Sequence, residues 1–263
     1  MRLRDKVIIV TGSTTGIGKA IAKRCVEEGA KVLIHGLEKE WAAETVKELG
    51  QDKAFAYTGD LSDDTTIEGL IKACVDKYGQ INSLVNNAAW VPPSNLENSD
   101  RAFMEKVLTI NTIAPLLLIR AALPYLQKTR GSVLNIGSVN AWSGEPNLLG
   151  YSMSKGALMT MTRNLGDVLF REHHIRVNQI NPGWVLTETE IQRKREHGLS
   201  DTWFKGLPAM FAPAGRIIYP QEIAAGAIFW LSDESGPVSG QVMELEQHPM
   251  IGRNPPKDTS TIK

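Results

Sequence analysis

A tyrosine and a lysine four residues apart are the first residues in this sequence whose types and spacing could do chemistry. Tyr151 and Lys155 lie in the segment Tyr-Ser-Met-Ser-Lys, and in a helix this spacing places both side chains on the same face. A nearby ammonium group favours the phenolate form, so we expect Lys155 to lower the pKa of the Tyr151 phenol from its usual value of about 10. Such a tyrosine can act as a general acid or base. Because the same pair also occurs on helix surfaces without a function, other residues must support this interpretation.

A glycine-rich turn provides the second signal. The segment from Thr11 to Gly18 reads Thr-Gly-Ser-Thr-Thr-Gly-Ile-Gly and follows the first predicted strand. Glycine lets the backbone approach a pyrophosphate closely, and the free N–H groups of the following helix stabilise the negative charge. A tight turn between a strand and a helix would need similar glycines without any ligand. The position directly after the first strand favours cofactor binding, although the spacing differs from the commoner G-x-G-x-x-G.

Polar residues also follow three later strands. Asp60 could accept a hydrogen bond from an adenine amino group, or it could cap a helix. Asn86 and Asn87 could bind ribose or backbone, or complete a turn. Ser138 follows the fifth strand. Because ligands of open parallel sheets bind beyond the carboxyl ends of the strands, these residues are expected near one site.

Alternating strands and helices must position these residues. Short β-branched runs predict strands at Val7–Thr11, Val32–His35, Ala54–Thr58, Leu84–Asn86, Val133–Ile136, Val177–Ile180 and Val242–Leu245. Apolar residues at helical spacing predict helices at Gly16–Glu28, Lys39–Leu49, Thr65–Tyr78, Asp100–Leu126, Tyr151–His173 and Gln221–Ser232. This alternation predicts a doubly wound α/β fold, with a parallel sheet of about seven strands and helices on both faces.

Composition argues against several classes of protein. A chain of 263 residues can bury a full core as one domain, 1–263, without disulfides or metals. Lys and Arg number 29 and Asp and Glu number 29, so no basic excess favours a nucleic acid partner. The triplet Arg193-Lys194-Arg195 is typical of a solvated helix face. The most apolar stretch, 113–119, is too short to span a membrane, and no signal peptide is evident, so we expect a cytoplasmic protein.

Cysteine and histidine usage indicates neither disulfides nor a metal site. Cys25 and Cys74 lie in apolar helical segments without C-x-x-C spacing, so we interpret them as reduced core thiols. The histidines are scattered or point in different directions, and no H-E-x-x-H motif occurs. They are His35, His173, His174, His197 and His248.

Together these motifs resemble the short-chain dehydrogenase/reductase family over almost the whole chain. The resemblance is carried by the glycine turn, the Asn-Asn-Ala-Ala segment at 86–89, Asn111, Ser138, the Tyr-Ser-Met-Ser-Lys segment, and Pro182-Gly183 with Thr187. It implies a Rossmann-type domain that binds NAD or NADP and transfers a hydride between this cofactor and a secondary alcohol or ketone. It also implies a homodimer or homotetramer that pairs the long helices containing Asn111 and Tyr151.

The resemblance assigns roles to individual residues. Tyr151 would donate or accept the proton, Ser138 would bind the reacting oxygen, Lys155 would bind the nicotinamide ribose, and Asn111 would hold a proton-relaying water. The implied cofactor-binding residues are Gly12, Thr15, Gly16, Ile17, Gly18, Asp60, Leu61, Asn87, Tyr151, Lys155, Pro182, Gly183 and Thr187.

Departures from the family pattern concern the cofactor and the chain end. Ala89 replaces a usual glycine. Gly36 stands where NAD-preferring relatives tend to carry Asp, and Leu37 stands where NADP-preferring relatives often carry Arg. These two changes favour NADP marginally, with His35 or Lys39 as the phosphate partner. The tail 247–263 lacks the usual Val-Asp-Gly-Gly turn, so it could pack over a neighbouring subunit or over that subunit's site.

The substrate is expected to be a sugar or polyol. Aromatic faces beside amide and carboxylate groups suit hydroxyl-rich molecules, although these tryptophans could merely pack the loops. The candidate substrate residues are Trp90, Asn140, Trp142, Glu145 and Trp184. The irregular segment 186–215, which carries Trp203, Phe204, Met210 and Phe211, is expected to form a substrate lid or a subunit interface.

Two alternatives remain open at this point. A 3-oxoacyl thioester reductase would use the Arg193-Lys194-Arg195 triplet as a basic entrance for an acidic carrier. A non-catalytic, dinucleotide-sensing protein would keep the fold without the chemistry. The presence of Asn111, Ser138, Tyr151 and Lys155 together argues against this second alternative.

Overall fold

Seven parallel strands form the centre of the fold in the computed structural model, which describes residues 1–196 and 198–249. Their spatial order is β3-β2-β1-β4-β5-β6-β7, and every pairing is parallel. The strands are β1 Val7–Val10, β2 Lys31–Gly36, β3 Ala54–Thr58, β4 Ser83–Asn86, β5 Ser132–Ile136, β6 Arg176–Pro182 and β7 Val242–Leu245. The predicted sheet is therefore confirmed, with β6 extending further toward the site than the sequence pattern indicated.

Helices cover both faces of this sheet. The helices are α1 Gly16–Glu27, α2 Lys39–Leu49, α3 Asp64–Tyr78, α4 Arg101–Leu108, α5 Ala114–Thr129, α6 Asn140–Ser143, α7 Leu149–His173, α8 Glu188–Glu196 and α9 Pro220–Leu231. One core packs α1 and α9 against the sheet, and a second core packs α3, α5 and α7 against the opposite face. Cys25 and Cys74 are free, one in each core, and burial raises the pKa of both thiols.

The helix predicted at Asp100–Leu126 is interrupted. A π-helical turn, Thr109–Ile113, separates α4 from α5. Pro115 accounts for this interruption, because it has no N–H to donate to the carbonyl of Asn111, four residues earlier. Such turns often occur at functional sites, and this one buries the Asn111 side chain beneath the site described below.

The same helical run, Arg101–Thr129, is long and apolar enough by length and composition to cross a membrane. Its packing is that of a core helix, since Leu118, Ala122 and Leu126 have no exposed surface and lie in the core on the α3 side of the sheet. Burial against the sheet thus explains the apolar residues on that face of the run.

Two residues after β7, Glu246 and Gln247, make hydrogen bonds near both ends of the segment 186–215. Near the first end, the Trp184 N–H donates to Glu246 Oε2 over 3.1 Å. Near the second end, the Ala214 N–H donates to Gln247 Oε1 over 2.9 Å, and Gln247 Nε2 donates to the Arg216 carbonyl over 2.7 Å. Of the predicted tail 247–263, only residues 247–249 lie within the described residues. The segment 186–215 is described except for His197.

Candidate active site

A cavity of about 600 Å³ lies beyond the carboxyl ends of β5 and β6. Ser138 follows β5, and Tyr151 and Lys155 lie in the first two turns of α7, so three residues from separate parts of the sequence line one space. Pro182, at the end of β6, and the adjacent Gly183 also line it. The parallel sheet produces this convergence because all its strands point toward the same edge.

Lys155 is almost fully buried, with an exposed fraction of 2%. Its Nζ donates a hydrogen bond to the Ile136 carbonyl over 2.7 Å and lies 5.6 Å from the centre of the Tyr151 ring. Because burial disfavours the charged form, the pKa of Lys155 falls from 10.5 to about 8. Its ammonium group is therefore held by backbone at the floor of the cavity.

The expected lowering of the Tyr151 pKa is not found in this structure. Desolvation dominates and raises the pKa of Tyr151 from 10.0 to about 12, with Glu145 raising it further and a hydrogen bond with Ser138 opposing the rise. Lys155 directs its hydrogen bond to the Ile136 carbonyl and is not among the groups that shift the pKa of Tyr151. At neutral pH Tyr151 is consequently protonated, the form that can donate a proton.

Asn111 lies apart from these three residues and holds a loop in place. Its Nδ2 donates to the Trp90 carbonyl over 2.9 Å and to Ser154 Oγ over 3.0 Å, and its Oδ1 accepts from the Trp90 N–H over 2.8 Å. Among the described residues that line the cavity, Asn111 is absent. Its side chain thus ties the strand-end loop to α7.

The glycine turn forms a cradle of the kind a pyrophosphate requires. Gly12 and Gly16 have φ angles of 59° and 54°, in the left-handed region that favours glycine. A Cβ atom on Gly18 would lie within 3.0 Å of the Gly12 carbonyl. Asn87 Nδ2 fixes the turn by donating to the carbonyls of Thr11 and Gly12, both over 2.9 Å. These residues fit a dinucleotide phosphate without rearrangement of the turn itself.

A second groove of about 600 Å³ leads away from the glycine turn. It shares Ile17, Asn87 and Thr187 with the cavity, so the two form adjoining parts of one site. The implied cofactor residues that line the groove are Gly12, Thr15, Gly16, Ile17, Asp60, Leu61, Asn87 and Thr187. Gly18 lies behind the turn, and Asp60 Oδ1 accepts from the Ser62 N–H over 2.8 Å, as a turn-forming carboxylate does.

His35 cannot supply charge to a cofactor phosphate. It is 3% exposed, its Nδ1 accepts from the Gly12 N–H over 3.3 Å, and its Nε2 lies 3.1 Å from the Gly59 carbonyl. Burial lowers the pKa of His35 to about 4, so the ring is neutral at physiological pH. Glu38 lines the groove, whereas Lys39 is not among the described residues that do. The expected role of His35 was therefore wrong.

The structure separates the candidate substrate residues into two groups. Asn140, Glu145 and Trp184 line the cavity, and Asn140 Nδ2 donates to Glu145 Oε2 over 3.1 Å. Trp90 instead lines the second groove, with Lys106 Nζ 4.5 Å from its ring centre. Trp142 is 40% exposed and stacks against Arg163, 5.1 Å from its ring centre, outside the cavity.

Charged residues of α8 and of the β7 turn also line the cavity, and the sequence patterns suggested this only for the basic triplet, as the entrance of a thioester reductase. They are Glu190, Arg193, Lys194, Glu246 and His248. The triplet at 193–195 looked like a solvated face, yet Arg193 pairs with Glu190 over 2.6 Å and Lys194 lies 5.3 Å from the Trp184 ring centre. The sequence carried one signal for Glu246 and His248, because the chain lacks here the Val-Asp-Gly-Gly turn that is usual in the family.

Segment 186–215 contributes aromatic side chains to this wall. Trp203 stacks on Trp184 with ring centres 5.2 Å apart, and Phe211 lines the cavity. Trp184 Nε1 also donates to Glu190 Oε1 over 2.9 Å. Residues of the segment therefore form part of the cavity wall, and its action as a substrate lid stays a prediction. No group of three potential metal ligands occurs within the described residues.

Residues 6–198 match the family model of short chain dehydrogenases, nearly three quarters of the chain. The chain belongs to the short-chain dehydrogenase family. This short-chain dehydrogenase is 33% identical over 250 residues to an uncharacterised oxidoreductase from Thermotoga maritima, across 94% of this chain and 98% of that protein. It is 33% identical over 235 residues to L-fucose dehydrogenase from Mus musculus, across 88% of this chain and 84% of that protein.

A solved structure agrees with this assignment. The 3-ketoacyl-(acyl-carrier-protein) reductase from Brucella melitensis, complexed with NADH, aligns with a TM-score of 0.83 at 27% identity, across 95% of this chain and 100% of that chain. This short-chain dehydrogenase is thus an oxidoreductase that uses a nicotinamide dinucleotide and acts on an alcohol or ketone. The family and fold that the motifs suggested are confirmed.

Proposed function

We propose that this short-chain dehydrogenase interconverts a secondary alcohol and a ketone on a sugar or polyol. The observation that carries the proposal is the hydrogen-bonded pair Asn140–Glu145, which lines the same cavity as Tyr151 and Ser138. An amide and a carboxylate bind neighbouring hydroxyl groups well, and the aromatic residue Trp184 lines the same cavity. The similarity to L-fucose dehydrogenase supports this choice of substrate.

The proposed mechanism divides the work among four residues. The nicotinamide dinucleotide, when bound, supplies or accepts the hydride. During reduction Tyr151 donates a proton to the substrate oxygen, and Ser138 donates a hydrogen bond to the same oxygen as its negative charge develops. Lys155 holds the nicotinamide ribose. Asn111 holds the Trp90 loop and, through the carbonyl that Pro115 leaves without its helical donor, a proton-relaying water.

We propose NAD as the more tightly bound dinucleotide. Of the two cations expected to favour NADP, His35 is neutral and Lys39 does not line the groove in the described structure, whereas Glu38 does. A carboxylate accepts hydrogen bonds from a ribose diol and repels a 2′-phosphate. Calorimetric titration with both dinucleotides tests this choice, and Glu38→Gln should narrow the difference between their Kd values.

Reduction of a 3-oxoacyl thioester is the second candidate. Arg193 and Lys194 line the cavity, so an acidic carrier would meet cations at its entrance. The similarity to the Brucella melitensis reductase points the same way. Against this candidate, Glu190 pairs with both cations, and its carboxylate offsets their charge.

A substrate panel separates these functions. Sugars, polyols, simple ketones and a 3-oxoacyl thioester would be assayed with NAD(H) and NADP(H) in parallel. We expect the highest kcat/KM on a sugar or polyol, and Glu145→Ala should reduce turnover of polyols more than turnover of simple ketones. Glu97→Ala, in an exposed loop, serves as the control. Equal losses on both substrate types would contradict the sugar assignment, and inactivity on the whole panel would favour a sensing role.

We propose a cytoplasmic homodimer or homotetramer. Ile113, Leu116 and Met153 are 44%, 42% and 53% exposed on the surface of the α5 and α7 region. Burying these side chains against a second copy would remove apolar surface from water. Sedimentation of the purified protein measures the assembly directly, and Leu116→Glu should favour the monomer.

A further inference from the structure

A chain of four buried amide side chains and one threonine hydroxyl crosses the sheet next to the cavity. We call Asn86, Asn135, Thr162, Gln179 and Asn181 the amide ladder. The strand register places Asn135 between Asn86 on β4 and Gln179 on β6, and Thr162 faces them from α7. All five are at most 3% exposed. Buried parallel strands usually carry aliphatic residues at such positions, so this run of amides needs an explanation.

Hydrogen bonds and one hydroxyl contact connect the members of the amide ladder. Asn86 Nδ2 donates to Asn135 Oδ1, and Asn135 Nδ2 donates to Thr162 Oγ1, both over 2.8 Å. Thr162 Oγ1 lies 2.8 Å from Gln179 Oε1 and 2.9 Å from the Leu158 carbonyl, and Gln179 Nε2 donates to Asn181 Oδ1 over 2.7 Å. Asn86 thus fixes the orientation of the Asn135 amide, Gln179 fixes that of the Asn181 amide, and Thr162 lies between the two pairs.

The last member of the amide ladder reaches the reaction centre. Asn181 Oδ1 also accepts a hydrogen bond from the backbone N–H of Ser138 over 3.1 Å. The Ser138 hydroxyl in turn contacts the Tyr151 phenol. The ladder therefore ends on the backbone of the residue that shares a hydrogen bond with the proton donor.

Gly137 shows that this arrangement leaves no spare space. A Cβ atom at this position would lie within 3.0 Å of Asn181 Oδ1 and of Gln179 Nε2. The amide ladder thus fills the volume that a side chain of residue 137 would need. Its contact with Ser138 consequently depends on glycine at the preceding position.

We propose that the amide ladder positions Ser138 for the reaction, with Asn181 and Gln179 as positioning residues. This inference rests on the proposed role of Ser138 in hydrogen-bonding the reacting oxygen. A hydrogen-bond donor stabilises developing charge most when it is already held in place, because reorienting it during the reaction costs free energy that offsets the stabilisation. Asn181 fixes the backbone of Ser138, and Gln179 fixes the rotamer of Asn181.

Two graded variants test the proposal. Asn181→Leu removes the direct acceptor, and Gln179→Met removes the support behind it while keeping a similar shape. We expect kcat to fall by about tenfold in Asn181→Leu and by a smaller factor in Gln179→Met, because a displaced donor loses part of its contribution. The Kd for the dinucleotide should not change. Oxidation needs the phenolate form of Tyr151, so its rate should rise with pH. In both variants this rise should shift to higher pH, since the Ser138 hydrogen bond lowers the Tyr151 pKa.

Asn178→Leu is the matched control. Asn178 lies on the same strand, is 1% exposed, and bonds on the other side of β6 to the Val238 carbonyl and the Gln241 N–H, over 3.0 and 2.9 Å. This variant should lose stability but keep the pH profile. If the ladder variants lower stability with the pH profile of the wild type, the ladder is structural only and the proposal fails. If Asn181→Leu does not fold, Gln179→Met decides by the same criteria.

Ser138→Ala separates this inference from the proposed function. If Ser138→Ala keeps wild-type turnover, the role assigned to Ser138 is wrong and the ladder has nothing to position. If Ser138→Ala is strongly impaired while Asn181→Leu and Gln179→Met retain wild-type turnover, the proposed function stands and only the ladder inference is overturned.

Discussion

The Glu188 carboxylate accepts a hydrogen bond from the backbone N–H of Gly16, with 3.2 Å between Oε2 and the nitrogen. Gly16 is the first residue of α1, so a negative charge lies at the positive end of this helix. The same N–H groups suit the pyrophosphate of a dinucleotide. We therefore expect Glu188, at the start of α8, to compete with the pyrophosphate for the Gly16 N–H when the cofactor binds.

Glu188→Gln is accordingly expected to bind the dinucleotide more tightly. The amide carries no charge, so displacing it from the helix end costs less, and the Kd should fall by about two- to fivefold. Isothermal titration at low ionic strength measures this change. Glu196→Gln, at the opposite end of α8, should leave the Kd unchanged. Equal Kd values for wild type and Glu188→Gln would show that the contact does not compete with the cofactor.

Tyr151→Phe is expected to lose turnover while keeping the cofactor site. Without the phenol no proton reaches the substrate oxygen, and kcat should fall by about 100- to 10,000-fold. The dinucleotide Kd should remain within about twofold, because the ring is retained. Tyr125→Phe on α5 provides the control and should turn over normally. Substantial turnover by Tyr151→Phe would overturn the proposed mechanism.

The two directions of the reaction should respond differently to pH. Burial raises the pKa of Tyr151 to about 12, so the protonated phenol needed for reduction is present throughout pH 6 to 9. Oxidation needs the phenolate, whose population rises with pH below the pKa. In stopped-flow measurements we therefore expect a flat profile for reduction below the Lys155 pKa of about 8, and a rising profile for oxidation. An oxidation rate independent of pH would contradict this assignment.

Lys155→Met should change how stability depends on pH. The pKa of Lys155 is about 8 in the native state against 10.5 ordinarily, so between these values the unfolded chain binds more protons. The free energy of unfolding of the wild type should therefore rise with pH in this window, relative to Lys155→Met. The expected gain between pH 7 and 10 is on the order of 2 kcal/mol, measured by urea unfolding.

Lys72→Met controls for the loss of a lysine as such. Lys72 is an exposed residue of α3, with 75% of its side chain accessible. Its stability curve should run parallel to that of the wild type across the same pH range. A parallel curve for Lys155→Met as well would mean that Lys155 is not desolvated in the native protein.

Gln247→Ala should loosen the far end of segment 186–215. Its side chain makes two hydrogen bonds there, to the Ala214 N–H and the Arg216 carbonyl. Since such bonds contribute about 1 kcal/mol each, we expect KM for the substrate to rise by roughly fivefold. The dinucleotide Kd should stay constant, and the exposed Gln241 supplies the control variant Gln241→Ala. An unchanged KM would mean that this end of the segment does not affect substrate binding.

The sequence by itself determined the fold and the location of the site. Alternating short β-branched runs and helical segments specify a parallel sheet, because each segment records its own burial pattern. The polar residues that follow the strands could be placed at one edge for the same reason, since every parallel strand ends there. Ser138, Tyr151 and Lys155 could thus be expected together without any knowledge of their distances.

Only the tertiary structure decided which partners these residues have. Lys155 bonds to the Ile136 carbonyl, His35 is buried and neutral, and Trp142 lies outside the cavity. Each outcome depends on the environment that the whole fold creates around a side chain. Local sequence patterns indicate which segments are buried, but not which partners surround a polar side chain there or how far its pKa shifts.

Contacts between distant segments show the same limit most clearly. Glu246 reaches Trp184 and Glu188 reaches Gly16 across 62 and 172 positions of sequence. Loops without periodicity connect the elements that carry these residues, and their paths follow from packing rather than from any repeating pattern. Sequence periodicity therefore determined where chemistry could occur, whereas three-dimensional packing decided which charges and hydrogen bonds surround it.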